Sequence, residues 1–154
     1  MRDTTYYYTD GACSGNPGAG GWAFIELSPT KKGYSVHTES GNKENATNNE
    51  MEITGVYKAL VRAYKNKAKK VTIICDSAYC VNAVNMGWLV SWSKNEWTTK
   101  EGKPIKNKHI WENIYKLLFI KRMNVMFLKV KGHTGDPMNE LADDLAVQAR
   151  KEIE

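Results

Sequence analysis

The chain predicts an α/β domain in which a mixed sheet carries packed helices, and three observations predict it. Three β-forming runs with tight connections occupy the chain up to Glu39, and past Thr47 the apolar spacing becomes helical. From Val71 onward, short apolar strand-like runs alternate with helical segments, the pattern of a sheet with helices packed on it. The 154 residues suit one domain over 1–154 with a real core and are too few for two generous ones.

Thr4 to Thr9 is a Thr/Tyr-rich run that stops at Asp10-Gly11. Gly15, Gly18, Gly20 and Gly21, with Pro17, read as a flexible turn before a second strand, about Trp22 to Leu27. Pro29 and Gly33 bracket the next turn, and Tyr34 to Glu39 is a third strand, so an antiparallel meander is expected. Ile53, Val56, Tyr57, Leu60 and Tyr64 then recur at helical spacing, with Thr47 or Asn48 as N-cap. Val71 to Cys75 is a buried-type strand, and Ser77 caps a helix over about Ala78 to Asn85. Gly87 to Asn107 carries Trp88, Trp92 and Trp97 among lysines and turn residues. A helix over about Lys108 to Lys121, a strand over Val125 to Val130, a Gly-rich loop and a final helix from about Met138 to Ile153 complete the chain.

Hydrophobic content of 42% and charged content of 25% fit a soluble globular protein, and the apolar stretches are too short to span a membrane. No secretory signal is present, and Cys13, Cys75 and Cys80 match no zinc-ligand spacing, so reduced thiols in a cytoplasmic protein are expected. The net charge of +5 is compatible with a polyanionic partner. No oligomerisation signature is visible, and a monomer is the expectation.

Four acidic residues stand in recognisable local settings: Asp10 in Tyr8-Thr9-Asp10-Gly11, Glu52 in Asn48-Asn49-Glu50-Met51-Glu52, Asp76 in Cys75-Asp76-Ser77, and Asp143 in Asn139-Glu140-Leu141-Ala142-Asp143. Asp10 also reads as a turn-forming Asp before Gly, and Asp76 as a helix N-cap. Glu52 lies one turn before Val56 on the apolar side of its helix, where an unpaired carboxylate is costly, and it also reads as a solvated first-turn Glu stabilised by the helix dipole. Periodicity alone does not separate Asp143 from Asp144. Carboxylates drawn from different elements repel one another unless cations lie between them, and a hard oxygen set suits Mg²⁺ or Mn²⁺.

These motifs occur in order together with Lys131-Gly132-His133-Thr134-Gly135, and over roughly Thr4 to Arg150 the chain closely resembles type 1 ribonuclease H, which cuts RNA within RNA–DNA hybrids. The resemblance implies the ribonuclease H-like fold, a five-stranded mixed sheet with strands one to three antiparallel and helices on both faces. It selects Asp143 over Asp144 and implies that Asp10, Glu52, Asp76 and Asp143 are catalytic and hold two Mg²⁺ ions, with Mn²⁺ as a possible substitute. It gives His133 an assisting role in proton transfer or product release. The implied products carry 5′-phosphate and 3′-hydroxyl ends.

For the RNA–DNA hybrid, the resemblance places Gly11, Ser14, Asn16, Asn48 and Asn49 against the RNA strand, where short polar groups and backbone amides sense 2′-hydroxyls. It places Thr47 and Asn107 on a DNA phosphate and Tyr79 and Trp88 along the DNA strand. Gly87 to Asn107 resembles the family's substrate-binding extension, with one departure. The tip Ser93-Lys94-Asn95-Glu96 is barely basic, which predicts modest hybrid affinity; Lys100, Lys103, Lys106 and Lys108 compensate in part. Trp92 and Trp111 are expected to pack in the core. Two alternatives are a non-catalytic hybrid-binding module, which predicts a missing carboxylate, and a ribonuclease H domain cut from a reverse transcriptase. All four carboxylates are present, and the Met1 start and the ending after the last helix favour a free-standing enzyme.

Overall fold

The computed structural model describes residues 3–130 and 136–154. Strands β1 (Thr4–Cys13), β2 (Gly18–Thr30) and β3 (Gly33–Ala46) form the antiparallel meander, followed by helix α1 (Asn48–Lys65) and strand β4 (Lys70–Cys75). Helices α2 (Ala78–Asn85), α3 (Trp88–Lys94) and α4 (Lys108–Tyr115) come next, and α4 runs on through a π-helical turn, Lys116–Ile120. Strand β5 (Val125–Lys129) and helix α5 (Pro137–Lys151) end the chain. The sheet order is β3-β2-β1-β4-β5, with β4 parallel to both β1 and β5, so the expected five-stranded mixed sheet is present.

All three strands are longer than their composition predicts, and Gly18, Gly20 and Gly21, expected in the turn before Trp22, are strand residues. Side chains alternate between the faces of a strand. At Gly20 a Cβ would lie 2.6 Å from the Met51 side chain on α1, and at Gly21 it would lie 2.1 Å from the Ala146 carbonyl oxygen on α5. Successive glycines therefore admit one helix on each face of the sheet. Small residues on α5, Ala142, Ala146 and Ala149, meet the same need from the other side and are all buried. Gly21→Ala is expected to destabilise the protein by about 3 kcal/mol or more, since backbone must move to admit the methyl. Urea unfolding monitored by circular dichroism, with a lower midpoint at unchanged slope, checks this.

On the α1 face, Tyr7, Phe24, Ile53, Val56, Leu60 and Ile73 are fully buried. Trp22 stacks near Phe24 (6.4 Å), Gly41 of β3 lies beneath its ring, and Lys58 of α1 sits 5.7 Å from the ring centre. One buried carboxylate belongs to this layer. Glu26 accepts from Tyr7 Oη (2.6 Å) and from the Arg62 guanidinium (3.0 and 3.2 Å). Burial pushes the Glu26 carboxyl up, but these donors outweigh it and hold it below the usual range.

Helix α1 is capped by Thr47, whose hydroxyl accepts from the Glu50 amide, which decides between the two candidate caps. The last tyrosine of its expected apolar stripe departs from the pattern: Tyr64 is 44% exposed, while the neighbouring Ala63 is the buried residue of that turn. In α5, Asp136 caps and Pro137 takes the first turn, one residue earlier than expected. Within the Trp-rich segment, α3 is a short helix that the sequence pattern does not announce.

Candidate active site

Two neighbouring parallel strands bring the first two carboxylates to one place. Tyr8 of β1 is level with Ile74 of β4, so Asp10 and Asp76, each two residues further on, emerge side by side at the same end of the sheet. The third comes from α1. Gly11 lets that helix approach so closely that a Cβ there would lie 2.4 Å from the Glu52 amide nitrogen and 2.5 Å from the Met51 carbonyl carbon. Oxygens of Asp10, Glu52 and Asp76 consequently lie within 4.8 Å of one another.

Asp10 and Glu52 are buried, only 5% and 7% exposed, while Asp76 sits closer to solvent. Burial pushes the Asp10 carboxyl up to about 6; hydrogen bonds to Glu52 and the Gly11 amide (2.8 Å) oppose this, and the charges of Asp76 and Asp143 add to it. Burial likewise raises Glu52 well above its ordinary value, with its hydrogen bond to Asp10 and the charges of Asp10 and Asp76 acting in the same direction. Glu52 Oε1 is buried and has no hydrogen-bond partner. A buried acceptor without a donor, next to two further carboxylates, is electrostatically incomplete. A divalent cation bound by oxygen ligands supplies what is missing, so the residues fit Mg²⁺ or Mn²⁺. Burial pushes the neighbouring Cys75 thiol up to about 12 and raises Cys80, so both are protonated in the metal-free protein.

Asp143 lies on the exposed side of α5, outside the 4.8 Å group, although its charge bears on Asp10. The His133 assignment lies outside the described residues.

The candidate nucleic-acid contacts fall into two sets. Ser14, Asn16, Asn48 and Asn49 are exposed, and Asn16 Oδ1 accepts from the Asn48 amide (3.0 Å), tying the β1–β2 connection to the start of α1. Gly11 has a packing role that its motif does not reveal, and Thr47 caps α1. On the extension, Tyr79 is half-buried, its hydroxyl accepting from Trp111 Nε1 (3.0 Å) with the rings edge to face. Trp111 is buried and meets Trp92 at 5.7 Å, as expected for core residues, whereas Trp88 is 37% exposed. Asn107 precedes α4 in a left-handed conformation (φ 60°) and makes no side-chain cap. The sequence motifs give no sign of the aromatic chain from Tyr79 through Trp111 and Trp92 to Trp88, which anchors the extension to the domain.

Comparison with known proteins agrees with the fold. The family model for RNase H matches residues 2–151. Curated relatives named Ribonuclease H include one from Caldicellulosiruptor saccharolyticus, 44% identical over 146 residues that make up 95% of each chain. Another, from Prosthecochloris aestuarii, is 45% identical over 98% of each. Among solved structures, LC9-RNase H1, a type 1 RNase H with the type 2 active-site motif, superposes with a TM-score of 0.83 at 26% identity, over 97% of this chain and 72% of that one. The foamy viral protease-reverse transcriptase, solved in complex with an RNA/DNA hybrid, matches with a TM-score of 0.78 at 25% identity, over 97% of this chain and 20% of that one.

Proposed function

The chain belongs to the ribonuclease H family, of type 1, and from that premise we propose that it hydrolyses the RNA strand of RNA–DNA hybrids internally, leaving 5′-phosphate and 3′-hydroxyl ends. The observation that carries this reading is the group of three carboxylate oxygens within 4.8 Å, one of them buried without a partner. Asp10, Glu52 and Asp76, with Asp143, would hold two divalent cations, Mg²⁺ or in its place Mn²⁺. Such ions supply Lewis acidity to an attacking water and to the departing 3′-oxygen.

The protein's own part is to hold the strand and exclude wrong ones. The exposed amides of Asn16, Asn48 and Asn49, with Ser14 and Gly11, face the RNA strand beside the carboxylates and read its 2′-hydroxyls. Thr47 and Asn107 grip a phosphate of the DNA strand. The half-buried Tyr79 and the exposed Trp88 lie along that strand, where a flat ring fits against deoxyribose and clashes with a 2′-hydroxyl. His133 assists proton transfer or product release near neutral pH. The protein acts as a cytoplasmic monomer; among the described residues no helix is long and apolar enough to cross a membrane.

Cleavage of end-labelled RNA in a hybrid tests this, with Mg²⁺ and then EDTA, beside single-stranded RNA, RNA duplex and DNA duplex. The expected result is hybrid-only, metal-dependent cutting that is lost in Asp10→Asn, with product 3′ ends that a polymerase extends without phosphatase treatment. Hybrid binding without cutting under both Mg²⁺ and Mn²⁺ would leave a binding module instead.

A further inference from the structure

Far from the carboxylates, α1 and the π-turn after α4 both end at an open pocket of about 510 Å³, beside the starts of β4 and β5. Lys65, Lys67, Lys69, Lys121 and Arg122 line it together with Tyr64, and no carboxylate is among the lining residues. None of these five cations forms an ion pair among the described residues. The bland explanation is that cations collect where helices end. Each helix C-terminus carries the equivalent of about half a negative charge, so two ends offset about one of the five positive charges. A substantial positive excess remains.

The backbone gives a second, independent reason. Lys67 and Arg122 each sit just past the cap of their helix, in the left-handed region at φ 56° and 57°. Glycine is the residue that adopts this conformation freely and usually ends a helix this way. Here both positions carry long cations instead, against the preference of the backbone, and both face the same pocket. Tyr64, exposed despite its place in the apolar stripe of α1, offers an uncovered ring among them. Cations that track a phosphate chain, beside an aromatic face on which a base can stack, are the composition of a single-strand binding site.

We propose that this pocket binds unpaired single-stranded nucleic acid, with phosphates on the lysines and Arg122 and a base on Tyr64. The rise along α1 from Glu52 to Lys65 puts it ~20 Å from the catalytic carboxylates, beyond the contacts that hold a duplex there. It suits a strand that continues from, or is displaced beside, a hybrid. An acidic peptide would engage the cations and leave the Tyr64 ring unused. The proposal goes beyond hybrid cleavage and stands without it.

The test is an NMR titration of the ¹⁵N-labelled full chain with a thymidine tetranucleotide. The amides of Ala68 and Asn124, which also line the pocket, are expected to shift. In the double variant Lys67→Gly/Arg122→Gly, the affinity read at those amides falls about tenfold, and the salt slope falls by about 1.4, from ~0.7 per lost contact. That variant melts no lower than wild type, because glycine relieves the left-handed backbone, so lost binding is not lost folding. Tyr64→Ala weakens binding with the salt slope unchanged. Shifts confined to the Asn48–Asn49 end, or undiminished binding in the double variant, would overturn the proposal. So would a hexaglutamate peptide that moves Ala68 and Asn124 when the tetranucleotide does not.

Discussion

Without divalent cations, Asp10→Asn protein is expected to be more stable than the wild type at neutral pH by about 2–3 kcal/mol, while with Mg²⁺ restored its hybrid cleavage falls on the order of a thousandfold below that of the wild type. The stability gain follows from burial. Asp10 is 5% exposed, and its carboxyl is pushed from the ordinary value of 3.8 up to about 6, chiefly by desolvation. Every tenfold gain in proton affinity on folding corresponds to about 1.4 kcal/mol between the protonation states. Because the folded value is the higher one, the folded protein binds the proton more tightly than the unfolded chain does. The associated stability is fully present below the unfolded value and is lost as pH rises through about 6. Glu52 acts in the same direction.

Metal-free wild type should therefore gain stability on acidification from pH 7, and Asp10→Asn should lose much of that gain. Glu26 has the opposite sign, since its folded carboxyl is depressed: its contribution is present above the unfolded value and is lost as pH falls through the folded one. The two together predict a maximum on the acid side of neutrality. Chemical denaturation across pH, with and without Mg²⁺, reads all of this. Added Mg²⁺ should stabilise the wild type far more than Asp10→Asn, because binding to the folded state alone raises stability by mass action. A variant no more stable than metal-free wild type would mean that the pair is not strained by burial.

The second large effect is expected at Gly11. A methyl there would lie 2.4 Å from the Glu52 amide nitrogen and 2.5 Å from the Met51 carbonyl carbon, and helix backbone cannot swing aside as a side-chain tip can. Gly11→Ala should cost about 3 kcal/mol through overpacking. It should also drive the start of α1 away from β1 and so part Glu52 from Asp10. Activity is then expected to fall by about a hundredfold, from a displacement of roughly an ångström at a ligand. Paired unfolding and cleavage measurements check it. If Gly11 served only to present its amide to RNA, stability would be unchanged and only the substrate KM would rise.

Much of the site is legible in the sequence because each motif is local. Asp10 follows a β-forming run and Asp76 ends one, while Glu52 falls in the first turns of a helix that Thr47 caps. Parallel pairing of β1 with β4 then does the rest, and it follows from the alternation of strands and helices. The glycine run before Trp22 misleads for an equally physical reason. Composition equates several glycines with a flexible turn, whereas Gly20 and Gly21 are strand residues that need no side chain, because Met51 and Ala146 occupy the space. Nothing within a few residues of Gly21 announces a helix more than a hundred residues later.

By itself, then, the sequence determined the type and order of the elements apart from α3, the sheet class, and Asp10, Glu52 and Asp76 as candidate carboxylates, since periodicity and capping act over one or two turns. The tertiary structure alone decided which glycines are packing contacts, that Asp10 and Glu52 are desolvated together, and that Tyr64 is left uncovered among five cations. Close approach, desolvation and convergent charge are properties of neighbours in space, and they exist only once distant segments have been brought together.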